Sequence, residues 1–325
     1  DPLGPTLVDP WEGKKDLDQR LLRAVGNPVE RFSEDGLRVL RAARFAATLE
    51  CAIEPQTLAA IEPTLGTYRK VSAERVRDEW MKTMKAKKPS TAFEIMRTTG
   101  ILGVTLPEML ESVGMQQNRF HAYDVWNHAL ACLDACEGDA ALRIAALLHD
   151  IGKPRTRAFS DKTNDYTFYN HEKIGAEMVG PILERLRFSN DEKARITSLV
   201  ANHLVCYSDE WSDAAVRRWI RRVSVDRVED LYALNRADIL GKGREVTDEL
   251  TGLERLKGRV ATELAARHAL STRDLAVDGK DVMRELAIKP SRRIGEILEA
   301  LLEKVVEDPA LNDRETLLKM VRELG

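Results

Sequence analysis

A chain of 325 residues, 43% hydrophobic and 32% charged, has room for two or three domains and more than one core; no apolar run approaches the length needed to span a membrane, and no secretory signal is evident. Lys and Arg number 50 against 53 Asp and Glu, and the resulting net charge of -3 excludes general adhesion to nucleic acid, so that any RNA contact must come from local basic patches. The four cysteines, Cys51, Cys132, Cys136 and Cys206, form no paired framework, which points to a reducing cytoplasm.

Residues 1 to 33 are rich in proline and glycine and cannot make a core, so they read as the frayed end of a domain whose body lies elsewhere. The first residue is Asp1, which suggests an upstream piece. From Arg31 to Ala47 apolar positions recur at helical spacing, with Ser33 as N-cap and acids in the first turn. Asp35 and Arg38 are three apart on one face, as are Arg38, Arg41 and Arg44; by themselves they read as an intrahelical ion-pair ladder.

Arg69, Lys70, Arg75, Arg77, Lys82, Lys85, Lys87 and Lys88 then surround the cap candidate Ser72. A tRNA backbone and a solvated helix face suit such a stretch equally. Pro89 and Gly100 punctuate two further helices, and Leu106-Pro107-Glu108 marks a turn.

The apolar helical run Arg143 to Leu148 delivers His149 and Asp150 side by side and stops at Gly152-Lys153. Two polar ligand groups where a buried helix ends are costly unless something binds there. His121, His128, His171 and His203 lie in the same region, and Asp238 follows in a helical run; only His268 stands apart. Any one of these histidines would read as a satisfied structural residue, whereas the ordered set reads as a site. Cys132 lies one helical turn after His128, a spacing open to a thiolate ligand, although free cysteine more often behaves as a small buried hydrophobe.

The polar and aromatic segment 161–170 reads as a loop before His171-Glu172, placed for substrate contact or as a surface excursion. Val216, Trp219, Ile220 and Val223 then make an apolar stripe, with Arg217, Arg218, Arg221 and Arg222 on the other faces, turned to RNA or to solvent. Residues 241 to 325 are again helical in pattern, and no stretch sustains period-two alternation.

His128, then His149-Asp150, then the distant Asp238 resembles the ligand order of the HD metal-dependent phosphohydrolase superfamily. Two imidazoles and two carboxylates suit Mn, Co, Ni, Fe, Zn or Mg. Such an ion acidifies water and clamps phosphate oxygens. His171 and His203 are further candidates for a second metal or for phosphate, and Lys153 for neutralising charge on the phosphoryl group.

A second resemblance rests on the segments Asp9 to Leu17, Arg23 to Pro28, Glu34 to Leu49, Ser72 to Arg75, Thr99 to Glu108 and Val277 to Leu298. They are similar to the bacterial tRNA nucleotidyltransferase and poly(A) polymerase family, known for CCA-adding enzymes. In that pattern a glycine stands at Ala287 and Pro-Gly at Pro290-Ser291, two departures of this chain.

The resemblance implies an all-α, multi-domain helical fold with an HD-domain bundle, divided as follows. Residues 1–33 would be the C-terminal remnant of a nucleotidyltransferase head, 34–115 a nucleotide- and RNA-binding neck, 116–240 the HD phosphohydrolase, and 241–325 an RNA-binding tail. It assigns Asp35 and Arg38 to reading the base of CTP or ATP, with Arg41 and Arg44 near phosphates or RNA. It assigns His128, His149, Asp150 and Asp238 to metal, His171 and His203 to further metal binding or phosphate, and Lys153 with His149 and Asp150 to catalysis.

The family's head carries a glycine-rich strand turn and a paired-aspartate motif. Asp16-Leu17-Asp18 lacks that setting, so nucleotidyl transfer is expected to need an upstream head or partner chain. The expected activity of the chain itself is hydrolysis of 2′,3′-cyclic or 2′-phosphates, with tRNA and nucleotides as partners. The alternatives are an RNA-binding scaffold with an idle HD domain and an HD nucleotide phosphohydrolase unrelated to tRNA.

Overall fold

Capped, apolar-striped segments make the molecule helical almost throughout, as a computed structural model describing Gly4 and residues 8–325 shows. Residues 1–3 and 5–7 of the proline-rich stretch lie outside the described residues. Among the described residues no helix is long and apolar enough to cross a membrane.

Strand structure is confined to two short pairings among the described residues: Leu21–Leu22 runs parallel to Ala52–Ile53, and Ala158–Ser160 is antiparallel to Asp165–Thr167. The second makes a hairpin of most of the segment read as a loop. Three-residue strands are too short to show alternation, and Asn164, at φ 49, takes the left-handed turn position that asparagine tolerates.

The chain forms two compact units, residues 1–204 with Ala233–Val246, and Val205–Tyr232 with Thr247–Gly325. In the first, Ser33 does not start a helix as expected. Asn27 caps Pro28–Glu34, its side chain accepting from Val29 N at 2.9 Å, so Ser33 falls inside that helix. The Asn-Pro pair is the stronger start signal, because proline at the first helical position gives up a donor that would be unsatisfied anyway.

Leu37–Thr48 then begins after Gly36, where any Cβ would come within 2.5 Å of Tyr68 N. The expected single helix is broken one residue earlier, at Asp35, whose backbone is extended at φ -147 and whose side chain accepts from Leu37 N at 3.0 Å, while the close approach at Gly36 admits only glycine. Ser72 does cap Ala73–Thr83.

Leu37–Thr48 buries Val39, Leu40 and Ala43 completely, and Trp80 meets Phe93 edge-on at 5.3 Å. Further along, Ile144, Leu147 and Leu148 are fully buried, each contributing about 1.5–3 kcal/mol against exposure. That burial fixes the helix Ala140–Leu148 whose end carries His149 and Asp150.

In the second unit the stripe Val216, Trp219, Ile220 and Val223 is buried as the spacing predicts. The arginines beside it are not simply a solvated or RNA-facing surface. Arg218 pairs with Glu307, and Arg221 with Glu299 and Glu303, all on or beside the helix Arg292–Glu307, while Arg217 is buried; Arg222 stays exposed. The acids that neutralise them lie some 80 residues away in sequence, beyond the reach of a periodicity argument. Leu301, Leu302, Val305, Leu317 and Val321 complete this unit's core.

Candidate functional site

Three helix ends and two helix bodies bring the sequence-selected ligands together. Asp124 caps Val125–Ala135, and His128 sits one turn in, fully buried. His149 ends Ala140–Leu148, His171 opens His171–Arg185, and His203 follows Asn190–Asn202. Asp238 comes from the later turns of Val228–Gly241. Gly152 permits the assembly, since a Cβ there would stand 2.3 Å from His171 O and 2.6 Å from Gly175 N.

The histidines share one device. His128 donates from Nδ1 to Gly241 O at 3.0 Å, His149 to Ala146 O at 2.7 Å, His171 to Phe168 O at 2.6 Å, and His203 to Val200 O at 2.7 Å. A carbonyl only accepts, so each Nδ1 carries the proton and each Nε2 is left as the inward-facing nitrogen.

Those nitrogens converge on two carboxylates. His128 Nε2 lies 3.0 Å from Asp238 Oδ1 and 3.3 Å from Asp150 Oδ2, and His149 Nε2 lies 3.2 Å from Asp150 Oδ2. His171 and His203 instead face the other oxygen, with Nε2 at 3.2 and 3.6 Å from Asp150 Oδ1. Asp150 thus stands between two groups of imidazoles. Lys153 Nζ approaches Asp150 Oδ2 at 2.6 Å and donates to Gln117 Oε1 at 2.6 Å.

Electrically the cluster is incomplete. His149 Nε2 and Asp150 Oδ2 are buried without a hydrogen bond of good geometry, despite their close neighbours. His171 Nε2 and His203 Nε2 are 3.2 Å apart, which sets two lone pairs against each other unless a proton or a cation intervenes. Burial pushes His128 and His149 down, but Asp150 and Asp238 outweigh it and hold them up, to about 9 and about 10. Burial likewise opposes ionisation of Asp150 and Asp238, and the same histidines, with Lys153 at Asp150, hold both well below the usual carboxylate range. His203, pushed down chiefly by burial, keeps the basic form suited to a cation.

Imidazole nitrogens fixed by backbone carbonyls, ionised carboxylates and unsatisfied buried atoms fit a divalent cation of borderline hardness. The cluster His128, Cys132, His149 and Asp238 has ligand atoms all within 4.8 Å of one another, as does His149, Asp150 and His203.

Sequence reasoning missed Gln117, which is buried and also donates from Nε2 to Tyr123 O at 3.2 Å; a glutamine gives no motif signal on its own. His121 lies beside the cluster, its ring 4.9 Å from that of His128, but burial and Lys153 push it down to about 3. His268 lies in the second unit, on Glu263.

Asp35, Arg38, Arg41 and Arg44 are arranged differently from a ladder along one helix. Asp35 takes Arg75 at 2.8 Å, which with the Leu37 N–H holds its carboxyl low. Arg38 pairs with Glu34 and donates to Arg31 O at 2.9 Å. Arg41 and Arg44 both reach the buried Glu79, at 3.5 and 2.6 Å. Lys70, Lys85, Lys87 and Lys88 are exposed nearby in sequence.

The sequence profile of a family described as "tRNA nucleotidyltransferase domain 2 putative" matches residues 167–321, and that of "Probable RNA and SrmB- binding site of polymerase A" matches residues 51–112. An A-adding tRNA nucleotidyltransferase of Deinococcus radiodurans is 34% identical over 317 residues, covering 92% of this chain and 70% of that protein. A CC-adding tRNA nucleotidyltransferase of Thermus thermophilus is 31% identical over 314 residues, 91% of this chain and 68% of that protein. In fold, the chain is similar to the Bacillus stearothermophilus CCA-adding enzyme in complex with CTP, with a TM-score of 0.65 at 21% identity over 99% of this chain and 70% of that one.

Proposed function

Because this chain belongs to the tRNA nucleotidyltransferase family, we propose that it serves the processing of tRNA 3′ ends and carries a metal-dependent phosphohydrolase acting on 2′,3′-cyclic or 2′-phosphates. The observation that supports the hydrolase is the convergence of four Nε2 nitrogens on Asp150 and Asp238 with Lys153 beside them.

His128, His149, Asp150 and Asp238 would hold a divalent ion, and His171 and His203 a second one or the phosphate. The ion would supply Lewis acidity toward a phosphoryl oxygen and toward water. Backbone carbonyls hold each imidazole in one tautomer, so the site needs little reorganisation when it binds. Lys153, oriented by Gln117, would offset the charge that builds on the phosphoryl oxygens.

The functional division follows the same reading, with nucleotide and RNA binding in residues 34–115, hydrolysis in 116–240 and RNA binding in 241–325. In the neck, Asp35 and Arg38 offer an acceptor and a forked donor to the base of CTP or ATP, and Arg41 and Arg44 cationic support. Asp35 would exchange Arg75 for a base edge, and Arg38 would exchange Glu34. Addition of C or A to an RNA 3′ end is proposed for this chain joined to a nucleotidyltransferase head.

The test is metal analysis of the purified chain with hydrolysis of 2′,3′-cyclic AMP in Mn, Co, Ni or Mg, for the wild type and Asp150→Ala. Metal together with hydrolysis that disappears in the variant is the expected result. Salt-dependent tRNA binding with neither metal nor turnover would overturn the hydrolase and leave an RNA-binding scaffold.

A further inference from the structure

The hairpin of Ala158–Ser160 and Asp165–Thr167 springs from the short helix Lys153–Thr156 and returns to the helix that His171 opens, so both of its ends are anchored at the ligand cluster. Its register sets Phe159 opposite Tyr166. Side chains two apart in a strand share a face, so Arg157, two before Phe159, and Phe168, two after Tyr166, stand on the same side. The contacts agree, for the Arg157 guanidinium lies 3.7 Å from the centre of the Tyr166 ring.

This face forms a row that leads away from the cluster. Phe168 is buried at its inner end, where its carbonyl accepts from His171 Nδ1 at 2.6 Å. Lys153 Nζ stands 5.6 Å from the centre of the Phe168 ring and 2.6 Å from Asp150 Oδ2. One strand step farther out, about 6.6 Å, come Tyr166 and Phe159. Tyr166 is half-buried beneath Arg157, whereas Phe159 is 56% exposed and meets Tyr166 edge-on at 5.6 Å.

The opposite face is pinned. There Asp165 accepts from Arg119 N and Arg119 Nε, each at 3.1 Å, and Arg119 also donates to Thr163 O at 2.8 Å. Arg119 and Arg155 have carboxylate partners, but Arg157 is in no ion pair among the described residues. An open aromatic ring beside an uncommitted guanidinium is the chemistry that holds a nucleobase and its phosphate.

We propose that this face is a stacking platform for the single-stranded 3′ end of an RNA whose terminal 2′,3′-cyclic phosphate or 2′-phosphate lies at the cluster. The inference rests on the hydrolase reading and sharpens it, because the substrate becomes the end of a strand and not a free nucleotide. Phe159 offers its ring to the base before the terminal one, and Arg157, held flat on Tyr166, offers its donors to the phosphate between them. When a cyclic phosphate is opened, one ring P–O bond breaks, the oxygen of water joins phosphorus and a proton passes to the released ribose oxygen. Phe159 and Arg157 touch none of these atoms, so they set which substrate is used. Every base has a π-face, so the preference is for a strand over a mononucleotide and carries little sequence.

The test compares kcat/KM for an RNA tetranucleotide ending in a 2′,3′-cyclic phosphate with that for 2′,3′-cyclic AMP, using the full chain with Mn, Co, Ni or Mg. In parallel, the same RNA with 5-iodouridine before its last nucleotide is photo-crosslinked to the chain without added metal, and the attachment point is mapped by mass spectrometry. The expected results are a ratio of at least about ten in favour of the tetranucleotide and a crosslink within residues 157–166. Phe159→Ala should lower the ratio about tenfold and Phe159→Trp should keep it; Phe159 is exposed, so neither change disturbs a core. Equal kcat/KM for the two substrates, with crosslinks elsewhere, would overturn the platform and leave the hydrolase standing. A crosslink on the hairpin without hydrolysis of either substrate would overturn the hydrolase and keep the hairpin as an RNA contact. Neither hydrolysis nor a hairpin crosslink would overturn both.

Discussion

Two clusters of buried charge, one in each compact unit, are built on opposite rules. Around Asp150, donors and acceptors crowd together and some are left over: His149 Nε2 and Asp150 Oδ2 have no satisfactory hydrogen bond. Around Arg217, nothing is left over. Its Nε donates to Val306 O at 2.7 Å, one terminal nitrogen to Glu263 Oε2 at 2.9 Å and the other to Glu307 O at 3.1 Å. Glu263 is also met by His268 Nδ1 at 3.0 Å. Structural burial of charge saturates its hydrogen bonds, and a guanidinium on the last carbonyls of Arg292–Glu307 also suits that helix's dipole. A ligand site keeps lone pairs unspent. The same residue types are therefore told apart by what remains unsatisfied, not by burial.

Breaking the saturated cluster should have the largest effect. Arg217→Ala leaves Glu263 buried without its cation, and unpairing a buried ion pair costs about 3–5 kcal/mol. Urea unfolding followed by hydrogen exchange in Asp213–Val223 should show it. The double variant Arg217→Met with Glu263→Gln should recover most of the loss, because it removes both charges; equal losses in single and double variants would sink the explanation.

The unsaturated cluster should respond to a ligand instead. Zinc or cobalt at a hundred times its dissociation constant should raise the opening free energy of Val125–Ala135 and Ala140–Leu148 by about 2.7 kcal/mol. Asp213–Val223 should be unaffected. Protection that rises equally in all three helices, or in none, would mean that the two clusters do not differ in their capacity for a ligand.

What the sequence disclosed follows the same division. The ligand order His128, His149-Asp150, Asp238 was legible because metal chemistry demands particular residue types, and helical stripes were legible because core-facing positions recur at a fixed period. Partners chosen across the fold were not legible. Gln117 for Lys153, Arg75 for Asp35, Glu79 for Arg41 and Arg44, and Glu263 for Arg217 are separated by 36, 40, 38, 35 and 46 residues respectively. Gly36 and Gly152 were likewise opaque, since their need is a backbone approach from another segment. The Ser33 cap failed for a local reason: Asn27-Pro28 starts a helix six residues earlier than the expected one.

A departure from the family's glycine pattern gives the next effect in size. Ala287 ends Gly279–Leu286 at φ 53, in the left-handed region where a Cβ is penalised. Ala287→Gly should stabilise the second unit by up to about 1 kcal/mol, the relief of that strain less the backbone entropy glycine loses on folding. Denaturant midpoints would measure it, and a destabilised variant would mean that the methyl group contributes packing worth more than the strain.

The smallest effect is a pH dependence at a site between the two extremes. Asp281 accepts from Arg314 at 2.8 Å and from Asp278 N at 3.1 Å, and these bonds hold its carboxyl down to about 2. A folded-state value below the ordinary one of about 3.9 means the unfolded chain takes up the proton first. The contribution is therefore complete above about pH 4 and is lost as pH falls toward 2. Asp281→Asn should remove that part of the acid sensitivity of the second unit while sacrificing the ion pair at neutral pH. Arg314 remains half exposed, so solvent and salt weaken the pair, and high ionic strength should shrink the difference between wild type and variant. The Arg217 pair, closed off from water, should show no comparable salt dependence, which separates a surface-linked ion pair from a saturated buried one by a measurement that touches neither fold nor metal.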